Sequence, residues 1–167
     1  VIFCVLLLLQ VFPVMQTSAV YNAELRSIKH YSEVILLVSL DDSSVIFNKN
    51  ADMPTPPASF TKVMTAILAL EQTENLDEVV IVPEYTIRLL DNTNSSVAGI
   101  KPGEKMTVLN LLYCLLVKSA NEAANILADY VSGGDIPAFI ENMNMRAREL
   151  GCVKTVFKNP HGLDEDG

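Results

Sequence analysis

Three prolines, Pro54, Pro56 and Pro57, lead into a stretch in which Val63, Ile67 and Leu70 recur at helical spacing. Met64, Ala66, Leu68 and Ala69 fill the faces between them, and Glu71 closes the run. Proline disfavours helical geometry in the residue before it, so the lead-in is extended and a helix is expected to begin at Ser59 or just before. A helix that is apolar on most of its faces is not stable against water. It is expected to be central, and the rest of the chain must supply the elements that surround it.

Those elements are legible in outline. Residues 33–40 are β-branched and apolar, long enough for a buried strand. Asp41-Asp42-Ser43-Ser44 is turn chemistry and Val45-Ile46-Phe47 resumes strand-like residues, which together predict a β-hairpin. A short strand is expected over 79–82, stopped by Pro83, and Lys101-Pro102-Gly103-Glu104 is a turn. Thr107 is placed to cap a helix over 108–117, and two more helices are expected over 121–131 and 136–150, separated by Gly133-Gly134. Gly151 is placed to end the last. No internal repeat is apparent, and 167 residues, half of them apolar, suffice for one globular domain with a real core.

The first nineteen residues differ from the rest. Val1 to Val14 is almost wholly apolar, the first charge is Glu24, and Thr17-Ser18-Ala19 suits cleavage by a signal peptidase. Residues 1–19 therefore read as a secretory signal lacking its start, with an uncleaved anchor helix as the alternative, and 20–167 as the body of the protein. Either way the body is expected outside the cytoplasm. A formal charge of −8 and no basic stretch longer than two residues argue against a phosphate-tracking surface, and nucleic acid is not an expected partner. Two histidines and three cysteines without ligand spacing imply neither a metal nor another cofactor. Cys4 would leave with the signal; Cys114 reads as a core residue, and an oxidising compartment would permit it to pair with Cys152.

Ser59-Phe60-Thr61-Lys62 carries a hydroxyl and an amine three residues apart, on one face of the expected helix. A serine becomes nucleophilic when a neighbour takes its proton. A lysine does that only if burial or the positive end of a helix dipole lowers its pKa. The spacing alone is one that chance supplies, and Ser59 as a helix cap with Lys62 solvated is the competing reading. Ser119-Ala120-Asn121 lies between two expected helices, where Ser119 could again be a cap. If the two segments meet, Ser119 could relay a proton to a leaving group, and Asn121 could hold Lys62 and a substrate carbonyl.

Three segments carry a family resemblance: Pro57-Ala58-Ser59-Phe60-Thr61-Lys62-Val63-Met64-Thr65-Ala66, Leu115-Leu116-Val117-Lys118-Ser119-Ala120-Asn121-Glu122-Ala123-Ala124 and Phe157-Lys158-Asn159-Pro160-His161-Gly162-Leu163-Asp164. In this order they resemble the D-alanyl-D-alanine carboxypeptidases, the low-molecular-mass penicillin-binding proteins, with their Ser-x-x-Lys and Ser-x-Asn motifs. The hairpin with Phe47-Asn48-Lys49-Asn50-Ala51-Asp52 and the 101–104 turn also fit. The resemblance implies an α+β chain of the β-lactamase and penicillin-binding-protein fold, an antiparallel sheet with a helical region, cut before the later strands. It implies Ser59 as nucleophile, Lys62 as general base, Ser119 as proton relay and Asn121 as a substrate-binding residue. The implied reaction removes the terminal D-Ala from peptidoglycan stem peptides, with β-lactams as acylating inhibitors.

The family's third motif, Lys-Thr-Gly, is not in the chain; Lys154-Thr155-Val156 lacks the glycine and precedes the 157–164 loop instead of following it. The chain is expected to be a piece of a longer protein, poorly stable and inactive alone, with any membrane association residing in a C-terminal segment it lacks. A β-lactamase on the same scaffold and a non-catalytic envelope-binding module are the rival readings. Glu165, between Asp164 and Asp166, reads as part of a solvated acidic loop and not as a deacylating base, and His161 as structural. Tyr85 and Tyr113 read as packing residues.

Overall fold

The computed structural model describes residues 27–164, so the expected signal segment and Glu165 lie outside the described residues. The chain divides into two compact units, residues 1–55 and 56–167.

The first unit holds the expected hairpin. Strands β1 (Ile35–Val38) and β2 (Val45–Lys49) pair antiparallel, Leu36 opposite Asn48 and Leu37 opposite Phe47, with a register shift at Leu37/Val38. The turn forms as its residues dictate. Asp42 Oδ1 accepts the Ser44 N–H, Ser43 adopts φ 57°, and Ser39 N–H reaches the Ser44 carbonyl at 2.8 Å. Side-chain hydrogen bonds from Ser39 and Ser44, with the Ser44 N–H, hold the Asp42 carboxyl below its ordinary pKa. The expectation of a buried strand over 33–40 is corrected: β1 is four residues long, and Leu36, Leu37 and Val38 are exposed. A two-stranded ribbon has two faces and too little side-chain mass of its own to cover either.

The second unit contains a short 3-10 turn, Ala58–Phe60, then α1 (Thr61–Gln72), β3 (Val79–Ile81), α2 (Glu84–Arg88), β4 (Lys105–Thr107), α3 (Val108–Val117), α4 (Asn121–Ser132) and α5 (Ile136–Glu149). Strands β3 and β4 pair antiparallel, Val80 opposite Met106, beside a turn in which Glu104 N–H donates to the Lys101 carbonyl. The helix ends carry the expected signals. Thr107 Oγ1 accepts the Asn110 N–H, Asp135 accepts the Ala138 N–H, and Gly133 and Gly151 turn the chain away in the left-handed region.

The centre of this unit is α4. Residues 121–128 are buried without a break, and small Ala123, Ala124 and Ala128 let neighbouring helices approach closely. On one side α4 meets Leu111 and Leu115 of α3 with Ala66 and Ala69 of α1. On the other, Ala128 joins Met64, Leu68, Phe139 and Met143. Each fully buried Leu or Ile contributes about 1.5–3 kcal/mol. The expectation that α1 would be the central helix is therefore amended: it packs against α3, α4 and α5, but Val63 and Leu70 are 49 % and 51 % exposed. Cys114 and Cys152 are free thiols, so the permitted disulfide is not formed. Among the described residues, no helix is long and apolar enough to cross a membrane.

Candidate active site

The approach to α1 is unusual at one backbone position. Pro57 has φ −69°, and Ala58 follows with φ +46°, a left-handed conformation that costs a residue with a Cβ about 1 kcal/mol. The chain then enters the 3-10 turn and α1, leaving Ser59 exposed at the helix start and Lys62 one turn further on.

Lys62 is 3 % exposed. Its Nζ donates to Ser59 Oγ at 3.3 Å and to the backbone carbonyl of His161 at 2.9 Å. Burial pushes the amine below its ordinary pKa of 10.5, because the neutral form needs less solvation. No carboxylate forms an ion pair with it among the described residues.

Ser119 completes the cluster from the α3–α4 connection. Its Oγ donates to Ser59 Oγ at 3.0 Å, across sixty positions of sequence. Ser119 is also in the left-handed region, φ +57°, so the two serines meet through two non-glycine positions of positive φ, Ala58 and Ser119. Backbone strain of this kind persists where surrounding contacts over-determine it.

The 157–164 loop supplies the rest. Its Asn159 side chain accepts the N–H groups of His161 and Gly162 and donates to the Leu163 carbonyl. Asn144 of α5 pairs with both backbone groups of Phe157. Thr65 donates to the Pro160 carbonyl at 2.6 Å, so α1 grips two successive carbonyls of the loop, through Thr65 and Lys62. His161 Nδ1 accepts the Leu163 N–H, which puts the ring proton on Nε2. Desolvation, with the Lys62 charge second, lowers the His161 pKa to about 4.

Ser59, Lys62 and Ser119 are thus brought together as the motifs suggested. Asn121 is buried at the first turn of α4, and its backbone N–H donates to the Ser96 carbonyl. The expected hold of Asn121 on Lys62 is absent among the described residues: the amine's hydrogen bonds run to Ser59 and to the His161 carbonyl. Sequence reasoning passed over that carbonyl and the Thr65 hydroxyl, since a backbone acceptor carries no residue signature. It also passed over Gly162, whose signal was available as a glycine within the 157–164 segment that carries the family resemblance. Lys154-Thr155-Val156 occupies a turn beyond α5, with Lys154 exposed. Tyr113 and Tyr85, expected as packing residues, are both exposed, and the Tyr85 hydroxyl donates to Asp129.

A serine hydroxyl flanked by a buried amine of lowered pKa and a second hydroxyl is equipped to attack a carbonyl and to pass protons on either side of that step. A model of the family described as D-alanyl-D-alanine carboxypeptidase matches residues 19–167. The chain is 36 % identical to the D-alanyl-D-alanine carboxypeptidase DacF of Bacillus subtilis over 83 % of its length, covering 35 % of that relative. It is 34 % identical to DacC of Escherichia coli over 79 % of its length, covering 34 % of it. The chain therefore spans about a third of these curated relatives. Among solved structures, a D-alanyl-D-alanine carboxypeptidase of Mycobacterium tuberculosis superposes with a TM-score of 0.72 at 31 % identity, covering 84 % of this chain and 50 % of the other. The R248L mutant of the Streptomyces K15 DD-transpeptidase gives 0.78 at 29 % identity, with coverage of 84 % and 56 %.

Proposed function

The chain belongs to the D-alanyl-D-alanine carboxypeptidase family, and from that premise we propose that the protein removes the terminal D-Ala from peptidoglycan stem peptides through an acyl-enzyme on Ser59. The observation that carries this reading is the position of the Lys62 amine, buried and 3.3 Å from Ser59 Oγ, with Ser119 Oγ 3.0 Å away on the same hydroxyl.

Neutral Lys62 takes the Ser59 proton as Oγ attacks the penultimate D-Ala carbonyl. The amide C–N bond then breaks, and Ser119 passes a proton to the departing D-Ala amine. Water, activated by the same Lys62 and Ser119 groups, attacks the ester; its proton returns to Ser59, and the shortened peptide leaves as a carboxylate. Asn121, two residues past Ser119, is assigned to the substrate. β-Lactams present a strained amide to the same hydroxyl, and their acyl-enzymes are released slowly. Because the substrate is cell-wall peptide, the protein works outside the cytoplasm, which agrees with reading residues 1–19 as a secretory signal.

A fluorescent penicillin tests the proposal. The full-length protein should be labelled covalently, and Ser59→Ala should not. A full-length protein left unlabelled under conditions that label a known relative would overturn it.

A further inference from the structure

One buried carboxylate lies beside the Ser59 cluster without belonging to it. Glu122, the second residue of α4, is 2 % exposed and forms no ion pair among the described residues. Its Oε1 instead accepts three successive backbone N–H groups, from Ala98 at 2.7 Å, Gly99 at 2.9 Å and Ile100 at 3.3 Å. Gly99, at φ +84°, helps turn the backbone so that these donors converge on one oxygen. The other oxygen, Oε2, is buried with no hydrogen-bond partner among the described residues, and Glu122 borders a cavity of about 180 Å³ also lined by Ile87, Leu90, Asp91, Val97, Gly99 and Ile100. Burying a carboxylate costs several kcal/mol, which three charge-assisted hydrogen bonds offset in part.

The segment that Glu122 holds reaches Ser119. The Ser96 carbonyl accepts the Asn121 N–H at 2.9 Å, and the Ser96 hydroxyl donates to the Lys118 carbonyl at 3.1 Å. Ser96 therefore grips the chain on both sides of Ser119, while Ala120 N–H is held by the Cys114 carbonyl at 3.1 Å. These contacts over-determine the left-handed backbone of Ser119, and that backbone aims its Oγ at Ser59.

We infer that Glu122 is a positioning residue for Ser119: by anchoring the 98–100 backbone it keeps Ser96 in place, and Ser96 keeps the Ser119 hydroxyl on Ser59. The inference rests on the proposed function, in which Ser119 protonates the leaving amine. Loss of Glu122 should then harm expulsion of an amine far more than expulsion of a thiolate, which leaves without a proton. A general loss of structure would harm both alike.

The test uses the full-length protein, a synthetic acyl-D-Ala-D-Ala peptide and the matching thioester. In Glu122→Ala, the single-turnover acylation rate constant on the peptide should fall by about 10-fold or more with peptide affinity within about 2-fold. The acylation rate constant on the thioester should stay within about 3-fold, deacylation of the shared acyl-enzyme being excluded from the comparison. Glu122→Gln, which keeps an acceptor oxygen for the three N–H groups, should restore peptide acylation to within about 3-fold of wild type. Should Glu122→Ala not fold, Ser96→Ala carries the same comparison through the hydroxyl on Lys118. Equal losses on the two substrates, or no loss on either, would overturn the inference while leaving the proposed function standing. A wild-type protein inert to both substrates would overturn the proposed function and this inference with it.

Discussion

Gly162 lies directly on the carbonyl of Ala58: a Cβ built at Gly162 would stand 1.8 Å from that oxygen and 2.6 Å from Thr61 Oγ1. The peptide it touches is the one that leads into Ser59, so the loop and the reactive serine are seated against each other through backbone. Gly162 also has φ +78°, a region that other residues enter at a cost. Gly162→Ala combines the two penalties. It should destabilise the protein by about 2–4 kcal/mol, and the surviving folded fraction should acylate slowly because Ala58 has moved. Thermal melts with penicillin labelling of the folded fraction would check this, and a melt unchanged within a degree would refute the close approach.

Lys62 yields a prediction with a clear sign. Burial lowers its pKa from 10.5, so the neutral amine is populated at a lower pH than in an ordinary lysine. The acylation rate should rise with pH through an inflection below 10.5. Lys62→Arg keeps the positive charge but cannot release a proton near neutrality, so acylation should fall by about 10²–10⁴-fold at every pH below 10. Stopped-flow acylation of both proteins across pH would decide it; a residual rate in the arginine variant close to wild type would remove Lys62 as the base.

How much of this was legible beforehand depends on whether a feature is written in side chains. Thr107, Gly133 and Gly151 are residues whose chemistry marks helix ends, and the ends fall there. The Ser59 and Lys62 pair is a spacing, and helix geometry delivers it. The position of Lys62 under the His161 carbonyl could not be read, because every residue but proline offers the same backbone groups. Helical periodicity shows which residues share a face, not which face is inward. Val63 and Leu70 are apolar at the right spacing and still face out, whereas the Ala-rich α4 takes the centre because small side chains permit close approach. Glu122 stood in a segment recognised by likeness, yet nothing in a lone acidic residue announces three amide partners.

His161 should make the protein acid-sensitive in a defined window. Its folded pKa is about 4, against 6.5 for a free histidine. Between these values the unfolded chain takes up a proton that the folded chain refuses, so stability is full above 6.5 and is lost as pH falls toward 4. The loss approaches about 3 kcal/mol for the full shift. His161→Asn retains an acceptor for the Leu163 N–H and does not titrate there. The difference in stability between wild type and variant, followed by urea melts from pH 7.5 to 4, should shift against the wild type by that order; a constant difference would show that the ring is not held neutral.

Ser119 carries both a hydroxyl that matters to Ser59 and a backbone that a serine tolerates poorly. Two substitutions separate these roles. Ser119→Ala and Ser119→Gly both remove the donor to Ser59 Oγ, and both should lower acylation by about 10²-fold or more. Only glycine relieves the left-handed conformation, at φ +57°. Ser119→Gly should therefore be more stable than Ser119→Ala by about 1 kcal/mol while being equally inactive. Equal stabilities would mean that the connection relaxes once the hydroxyl is gone, and that the contact between Ser119 and Ser59, not the Ser96 clamp, holds the strained backbone in place.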